Sequence, residues 1–253
     1  MFVPDPGYTI FDVDFSQADA RVVAWDSNCK YLKEVFNDPT RDVHDENAKL
    51  IYGKLTEVAR QFAKNGVHAA NYYVKAKTLS TTLGTTVPLA QAFLDKWYGM
   101  NPEIPAWHES TRDQLRENGT IHNIYGYRRQ YFDRIENKLP EALAWIGQST
   151  VAIAIKIAMN NLMRNLEDNM DGDFQVLMQV HDSIIGQFRN GMYPWIRARI
   201  RDEMLVTIPY DDPLVLPVDM KASRISWGHA KHIAGYKHGV LVPWEDEQKF
   251  CIH

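Results

Sequence analysis

Residues 174–188, Phe-Gln-Val-Leu-Met-Gln-Val-His-Asp-Ser-Ile-Ile-Gly-Gln-Phe, contain two apolar runs with a polar tip between them. Phe174 to Val180 and Ile184 to Phe188 have the composition of strands, and His181-Asp182-Ser183 suits a tight turn. A hairpin that carries a histidine and a carboxylate at its tip is a rigid place to hold a cation or a reacting group. The alternative is an ordinary hairpin with a polar turn.

A second acidic strand end lies far upstream, at Asp14. The stretch Tyr8 to Phe15 alternates as a strand does. If this strand lies beside the hairpin, Asp14 and Asp182 converge, and two such carboxylates repel each other unless they are protonated or neutralised by a divalent metal ion. Two-metal phosphoryl-transfer sites use this arrangement. The alternative is a pair of unrelated surface aspartates.

Residues 56–73 form a helical pattern with polar side chains at intervals of four: Arg60, Lys64, His68 and Tyr72. Steps of four keep side chains on one slowly drifting face of an α-helix. Two cations, a histidine and an aromatic ring on one face suit a polyphosphate chain that ends in a flat base. The alternative is a solvated basic face. His44 is a further donor candidate for the polyphosphate, with a surface or packing role as its alternative. Arg128, Arg129 and Gln148 are candidates for contact with a nucleic-acid backbone or base edges.

Size and composition limit the class of protein. With 253 residues, 45% of them hydrophobic, the chain can form one large or two modest domains. The net charge is -4, whereas nucleic-acid-binding proteins usually have an excess of basic residues. The local distribution of charge matters more for binding than the net charge. Cys29 and Cys251 have no metal-ligand spacing, which fits a reducing compartment. No apolar run approaches about 20 residues and no signal-peptide pattern is present, so we expect a cytoplasmic protein with no membrane partner.

The order of the predicted elements indicates an α+β fold. We predict strands at 8–15, 120–124, 128–132 and 215–221, and the hairpin at 174–188. We predict helices at 17–36, 42–52, 56–73, 88–100, 102–118, 140–166 and 193–206. The helical block interrupts the sheet-forming parts, so we expect it to stand beside the sheet as a lobe of its own.

Taken together, these segments resemble the polymerase core of family A DNA polymerases over roughly residues 2–229. Asp14 to Arg21 (Asp-Phe-Ser-Gln-Ala-Asp-Ala-Arg) resembles motif A of that family. The Arg60-Lys64-His68-Tyr72 helix resembles motif B, and Gln179 to Asp182 resembles motif C. Three further segments stand in the family's order between them: Asp42-Val43-His44, Gly126-Tyr127-Arg128-Arg129 and Gln148-Ser149-Thr150.

The resemblance implies an antiparallel palm sheet with packed helices and a mainly helical fingers subdomain. It places the palm in residues 1–26 and 119–230, the fingers in 27–118 and a C-terminal tail in 231–253. It also implies template-directed DNA synthesis, by phosphoryl transfer from a dNTP to a primer 3′-hydroxyl. The expected partners are therefore a DNA primer-template and dNTPs.

The resemblance also implies roles for individual residues. Asp14 and Asp182, with the backbone carbonyl of Phe15, would bind two Mg²⁺ ions, and Lys64 would protonate the leaving group. The nucleotide would be bound by Arg60, Lys64, His44, His68, Tyr72, Asp19 and Gln17. Primer and template would be bound by Arg128, Arg129, Gln148 and His181.

Four positions depart from the family's pattern. At one of them, near Ala144, the Asn of the family's long helix is absent. Asp19 stands where most members have the Glu that excludes the ribose 2′-hydroxyl, and His68 replaces a Phe or Tyr, as in some bacteriophage members. Ser183 replaces the Glu after the motif C Asp, as in single-subunit phage-type RNA polymerases. Because Ser16, Gln17 and Arg21 match the DNA enzymes and Asp19 keeps an acidic group, we favour a DNA polymerase over an RNA-polymerase-like enzyme. A two-metal nuclease would not need the helix predicted to grip a triphosphate, and an inactive nucleic-acid-binding subunit would not need Asp14 and Asp182 together with Arg60 and Lys64.

The chain begins immediately before motif A. We therefore expect the thumb, the first part of the palm and the exonuclease domain to be absent from it and to be supplied by a second polypeptide of a split polymerase. A cloned fragment is the alternative. If the protein is of phage origin, its compartment is the cytoplasm of a bacterial host.

Overall fold

The computed structural model describes residues 2–132, 135–192, 195–237 and 240–242, with residues 136, 232–237 and 240–242 described by their backbone alone. The chain divides into two compact units. The first unit comprises Met1–Ala18 and Val151–His253, and the second comprises Asp19–Thr150.

A six-stranded antiparallel sheet forms the centre of the first unit, in the order β10-β9-β8-β1-β5-β4. Its strands are β1 (Tyr8–Phe15), β4 (Phe174–Val180), β5 (Ser183–Arg189), β8 (Val218–Ser223), β9 (Lys231–Lys237) and β10 (Val240–Val242). The unit also holds α9 (Trp195–Met204) and a small pair, β6 (Thr207–Ile208) and β7 (Leu214–Val215). The long helix α8 (Leu139–Asn165) begins in the second unit and ends in the first.

Strand β1 is an interior strand of this sheet. It pairs with β5 on one side and β8 on the other, and nearly all of its side chains are buried. A strand enclosed on both faces loses the polar–apolar alternation of a half-exposed strand. Its buried polar residues therefore need partners: the Thr9 hydroxyl donates to Asn190 Oδ1 at 2.6 Å, and Trp227 Nε1 donates to Asp12 Oδ2 at 2.7 Å.

Close aromatic packing fixes the β1–β5 pairing in the core. The Phe11 ring stacks with Phe174 and Phe188, with centroid distances of 5.4 and 6.0 Å. Gly186 leaves the space for this contact, since a Cβ there would lie 2.4 Å from Phe11 Cζ. The hairpin and the first strand thus form one packed element.

The second unit is mainly helical. It contains most of α1 (Ala18–Asp26), then α2 (Lys30–Asn37), α3 (Val43–Tyr52), α4 (Glu57–Asn71), α5 (Ala76–Leu83), α6 (Val87–Met100) and α7 (Glu103–Asn118), the strand pair β2 (Thr120–His122) and β3 (Arg128–Gln130), and the start of α8. Leu79, Trp97 and Ile104 are fully buried in its core. Sheet and helices together confirm the α+β prediction, while the predicted domain boundaries stay a prediction.

Several boundaries differ from the sequence expectations. The single helix expected over 17–36 is two helices, because Asn28 has a left-handed φ of 54° and the Ser27 hydroxyl donates to the Val23 carbonyl at 2.6 Å. Such local side-chain bonds compete with helix continuation. Helix α5 was missed, since its Thr and Ser residues are weak helix formers. The expected helix over 193–206 is described only from Trp195.

The tail expected over 231–253 forms two strands where it is described. β9 pairs with β8, and β10 pairs with β9, which extends the sheet. Residues 243–253 lie outside the described residues, and the predicted domain limit at residue 230 is not tested.

One described helical segment, Leu139–Asn169, is long and apolar enough to cross a membrane by length and composition alone. The sequence expectation that no segment reaches this length was therefore wrong on that criterion. Half of the apolar window is buried inside the protein, with Ala154, Ala158 and Leu162 fully buried. That burial is typical of a core helix.

Candidate active site

Asp14 lies near the end of β1, between both neighbouring strands. In the antiparallel register it is opposite Ser183 of β5 on one side and Asp219 of β8 on the other. The Phe15 amide donates to the Asp182 carbonyl oxygen, with an N···O distance of 3.3 Å. The first strand end and the hairpin tip are thus neighbours within the first unit, as the sequence argument required.

The tip of the hairpin is a two-residue turn, His181-Asp182, between β4 and β5. His181 has a left-handed φ of 54°, the conformation that two-residue hairpin turns require at one or both positions. The Gln179 side-chain amide donates to the His181 carbonyl at 2.7 Å and holds this turn. The His181 ring is exposed, so it is accessible to a ligand.

The electrostatic environment of Asp14 disfavours its charged form. Burial raises its pKa from 3.8 to about 6; the Lys221 charge opposes this shift, and the carboxylates of Asp219, Asp12 and Asp182 add to it. Asp14 Oδ1 is buried and has no hydrogen-bond partner. A buried carboxylate oxygen without a donor, close to other carboxylates, is a position that a divalent cation would neutralise.

The donor set near Asp14 fits magnesium bound together with a substrate. Among the residues the structure describes, no group of three or more His, Cys, Asp and Glu side chains could hold a metal ion by itself. Mg²⁺ usually takes one or two carboxylates and completes its octahedral shell with waters and substrate phosphates. Asp14 could supply one such carboxylate, because its Oδ1 has no hydrogen-bond partner, and the Asp182 charge is near enough to raise the pKa of Asp14.

In the second unit, α4 carries the side chains predicted at intervals of four. The Thr56 hydroxyl caps its start by accepting from the Ala59 amide at 3.1 Å. Arg60 forms ion pairs with Asp42 at 3.2 Å and Asp45 at 2.6 Å. These pairs hold the guanidinium group against the start of α3. Phosphates that bind Arg60 must therefore share it with these carboxylates or displace them.

Three of the predicted nucleotide-binding residues line one cavity of about 420 Å³: His44, Lys64 and His68. Burial lowers the pKa of His44 from 6.5 to about 4, opposed by the Asp42 carboxylate and aided by the charges of Lys64 and Arg60. His44 is therefore neutral at pH 7 and can donate one hydrogen bond into the cavity. Lys64 and His68 are exposed.

Asp19 joins His68 and Tyr72 in one cluster. The Tyr72 hydroxyl donates to Asp19 Oδ1, and His68 Nδ1 lies 3.5 Å from Asp19 Oδ2. The rings of His68 and Tyr72 meet edge to face, with centroids 5.2 Å apart. Burial, with a further contribution from the Asp19 charge, raises the pKa of Tyr72. The phenol thus stays protonated and acts as the donor to the carboxylate.

Gly147, which was not among the residues predicted from the sequence, lets α8 approach this cluster. A Cβ at that position would lie 3.0 Å from Asp19 Oδ1 and 3.0 Å from the Tyr72 hydroxyl oxygen. A glycine within a helix costs about 1 kcal/mol relative to alanine, so its presence in α8 was the available signal.

Asn123 organises the turn that precedes Arg128 and links it to α8. Its Oδ1 accepts from the amides of Tyr125 and Tyr127, both at 3.1 Å, and its side-chain amide donates to Ser149 Oγ at 2.9 Å. Asn123 was not among the residues predicted from the sequence, although an Asn before a glycine-containing turn is a typical turn signal.

The remaining predicted site residues differ in the exposure of their side chains and in the contacts that these side chains make. Arg128 and Gln148 are exposed. Arg129 instead forms an ion pair with Glu141 and lies over the Tyr131 ring, 5.1 Å from its centroid. Gln17 is half-buried in the first unit and has a left-handed φ of 55°. Exposure therefore favours Arg128 over Arg129 as a contact to nucleic acid.

Comparison with known proteins gives a consistent result. The family model described as DNA polymerase family A matches residues 1–229. The chain is 29% identical over 228 residues to the thermostable DNA polymerase I of Thermus filiformis, covering 86% of this chain and 27% of that protein. It is 28% identical over 227 residues to DNA polymerase I of Pseudomonas aeruginosa, covering 85% and 24%. The chain thus spans about a quarter of the length of these curated relatives.

A solved structure shares the fold. It is described as the POL domain of Pol1 from M. smegmatis in complex with DNA primer-template and dNTP. The superposition has a TM-score of 0.80 at 23% sequence identity, and it covers 90% of this chain and 41% of that one.

Proposed function

Because the chain belongs to DNA polymerase family A, we propose that it catalyses template-directed transfer of nucleotides from dNTPs to the 3′-hydroxyl of a DNA primer. The observation that carries this proposal is the buried, unpartnered Asp14 Oδ1 on a strand that pairs with the hairpin of Asp182. The DNA primer-template and dNTP in the M. smegmatis structure support the choice of substrates.

In the proposed reaction, Asp14, Asp182 and the Phe15 carbonyl would hold two Mg²⁺ ions. When bound, such ions lower the pKa of the attacking hydroxyl and stabilise the charge on the triphosphate and the leaving pyrophosphate. Asp14 and Asp182 fix the positions at which the primer end and the phosphates meet. The high free energy of the charged Asp14 favours binding of a cation there.

The second unit supplies the groups proposed to bind the nucleotide. Arg60 and Lys64 contact the phosphates, and the exposed ammonium of Lys64 donates a proton to the leaving pyrophosphate. Neutral His44 donates a hydrogen bond to a phosphate oxygen. The cavity of about 420 Å³ beside His44 and Lys64 supports this assignment.

We assign sugar and base contacts to the cluster of Asp19, His68 and Tyr72, with Gln17 as a further nucleotide contact. Tyr72 fixes the Asp19 carboxylate through its hydroxyl, and the two rings offer flat surfaces to a sugar and a base. Primer and template contacts are assigned to Arg128, Arg129, Gln148 and His181. The exposed side chains of Arg128, Gln148 and His181 support their part of this assignment.

Substitution of the carboxylates tests the proposal. Asp14→Asn and Asp182→Asn keep side-chain size and should reduce primer extension to background, while circular dichroism shows an intact fold. Asp211→Asn removes an exposed carboxylate outside the proposed site and should leave extension unchanged. Extension at near-normal rates by either site variant would refute the metal assignment.

The same extension assay separates the rival activities. Parallel reactions with dNTPs and ribonucleoside triphosphates should show preference for dNTPs, since Asp19 keeps an acidic group near the sugar position. A preference for ribonucleotides would favour the RNA-polymerase-like alternative. Metal-dependent cleavage of labelled DNA without nucleotides would favour a nuclease.

We further propose that the enzyme acts in the cytoplasm with a second polypeptide that supplies the thumb, the rest of the palm and the exonuclease. This chain spans about a quarter of the length of the curated relatives it matches. Purification of the native protein should recover a stoichiometric second chain. Recovery of a single longer polypeptide would contradict this proposal and leave the activity proposal intact.

A further inference from the structure

The sheet face that carries Asp14 also carries a lysine. In the β1–β8 register, Asp12 is opposite Lys221 and Asp14 is opposite Asp219. Directly opposed residues of an antiparallel pair share a face, as do residues two apart along a strand. Lys221 is therefore the diagonal neighbour of Asp14, at a spacing of roughly 7–8 Å that a long side chain can bridge.

The two aspartates on this face each have a carboxylate oxygen without a hydrogen-bond partner. Asp12 Oδ2 accepts from Trp227, but Asp12 Oδ1 and Asp14 Oδ1 are buried without a hydrogen-bond partner. Neither oxygen therefore accepts a hydrogen bond from half-buried Lys221, and the charge of Lys221 acts on Asp14 through space. Among the charges that shift the pKa of Asp14, the Lys221 charge lowers it, whereas Asp219, Asp12 and Asp182 raise it.

We propose that Lys221 is a positioning residue of the metal site, whose ammonium group balances the carboxylates while no ion is bound and repels the ions that bind there. Lys221 then sets the Mg²⁺ concentration that the site requires. This inference rests on the proposed function, because it presumes the metal site at Asp14 and Asp182.

The size of the effect follows from Coulomb's law. A unit charge roughly 8 Å from a divalent ion weakens its binding about fivefold even with water-like screening, and more at the lower effective dielectric of a half-buried site. Low ionic strength is needed to observe the full effect, because salt at about 0.15 M screens charges over a similar distance.

Magnesium titrations of the full chain, with a non-hydrolysable dNTP at fixed concentration and without DNA, test the inference. The midpoint is followed by calorimetry and by thermal denaturation in low salt. Lys221→Gln should lower the half-saturating Mg²⁺ concentration about fivefold or more, lower the melting temperature in EDTA and increase the stabilisation by Mg²⁺. Lys221→Met is a second neutral variant in case the first does not fold, and Lys221→Arg should restore the wild-type midpoint. Lys156→Gln removes an exposed charge on α8 and should change nothing.

The outcomes distinguish this inference from the proposed function. A midpoint within twofold of wild type in the neutral variants, or an equal shift in Lys156→Gln, overturns the role of Lys221. If Asp14→Asn abolishes the Mg²⁺ response at the same time, the metal site stands and only this inference fails. If Asp14→Asn leaves the Mg²⁺ response unchanged, both fail.

Discussion

Gly147→Ala perturbs the close approach of α8 to the Asp19–Tyr72 pair. The added Cβ would lie 3.0 Å from Asp19 Oδ1 and 3.0 Å from the Tyr72 hydroxyl oxygen. Optimal non-bonded contacts to carbon are about 3.5–4.0 Å, so the helix or the two side chains must move. The hydrogen bond between Tyr72 and Asp19 lies directly at this contact.

Three terms decide the size of the effect. Replacement of glycine by alanine inside a helix raises the free energy of unfolding by about 1 kcal/mol. Overpacking costs typically about 1–3 kcal/mol. If the shift breaks the Tyr72 hydrogen bond to the charged Asp19 acceptor, roughly 1.5–3 kcal/mol more is lost. We therefore expect Gly147→Ala to destabilise the protein despite its higher helix propensity.

Gly99→Ala in α6 is the matched control. A Cβ at Gly99 meets no atom within 4 Å, so this variant should show the helix gain without the clash. Urea unfolding of both variants should place Gly147→Ala at least about 1 kcal/mol below Gly99→Ala, because the difference isolates the crowding term. Tyr72→Phe removes the hydroxyl oxygen and with it one of the two close contacts. In that background, Gly147→Ala should lower the free energy of unfolding by a smaller amount. Equal stability of the two alanine variants, or an unchanged penalty without the hydroxyl, would refute this reasoning.

Two other predictions use the same unfolding assay. Burial lowers the pKa of His44 to about 4, so between about pH 6.5 and 4 the unfolded chain binds more protons than the folded chain, and the free energy of unfolding should fall as the pH falls through that window. His44→Asn should remove this part of the pH dependence. Identical profiles of stability against pH for the wild type and His44→Asn would show that His44 is not buried as a neutral ring. Asn123→Ala removes the hydrogen bonds to Tyr125, Tyr127 and Ser149 and should lower the free energy of unfolding by about 1–3 kcal/mol. Asn118 is exposed, and Asn118→Ala should stay within about 0.5 kcal/mol of the wild type. An equal loss of stability in both variants would contradict the role of Asn123 in the turn.

The sequence predicted elements whose signals are local. Helix α4 has a threonine cap and an apolar stripe, and the β4–β5 hairpin has apolar runs around a two-residue turn. The break at Asn28 could not be predicted from periodicity, because the apolar spacing continues across it. The two strands of the tail were missed because residues 231–242 lack a clear period. They become strands by pairing, β9 with β8 and β10 with β9.

The candidate site was predictable in its residue types but not in its contacts. A spacing of four placed Arg60, Lys64 and His68 on one helix, yet nothing in that spacing shows that Asp42 and Asp45 hold Arg60. Ion pairs between helices depend on how the helices pack, which single-sequence periodicity does not contain. The role of Gly147 is non-local for the same reason, since the atoms it accommodates lie on α1 and at the end of α4.

The placement of Asp14 argues against a purely structural role. Burial raises its pKa to about 6, so above that pH the folded, ion-free protein carries a charge that the fold disfavours. Its Oδ1 gains no hydrogen bond in return, and an unsatisfied buried polar atom costs about 1–3 kcal/mol, more when charged. An amide or an apolar side chain would give a more stable strand end. A divalent ion bound during the reaction would offset this cost, and the same reasoning explains why Lys221, which offsets part of it without an ion, should oppose metal binding.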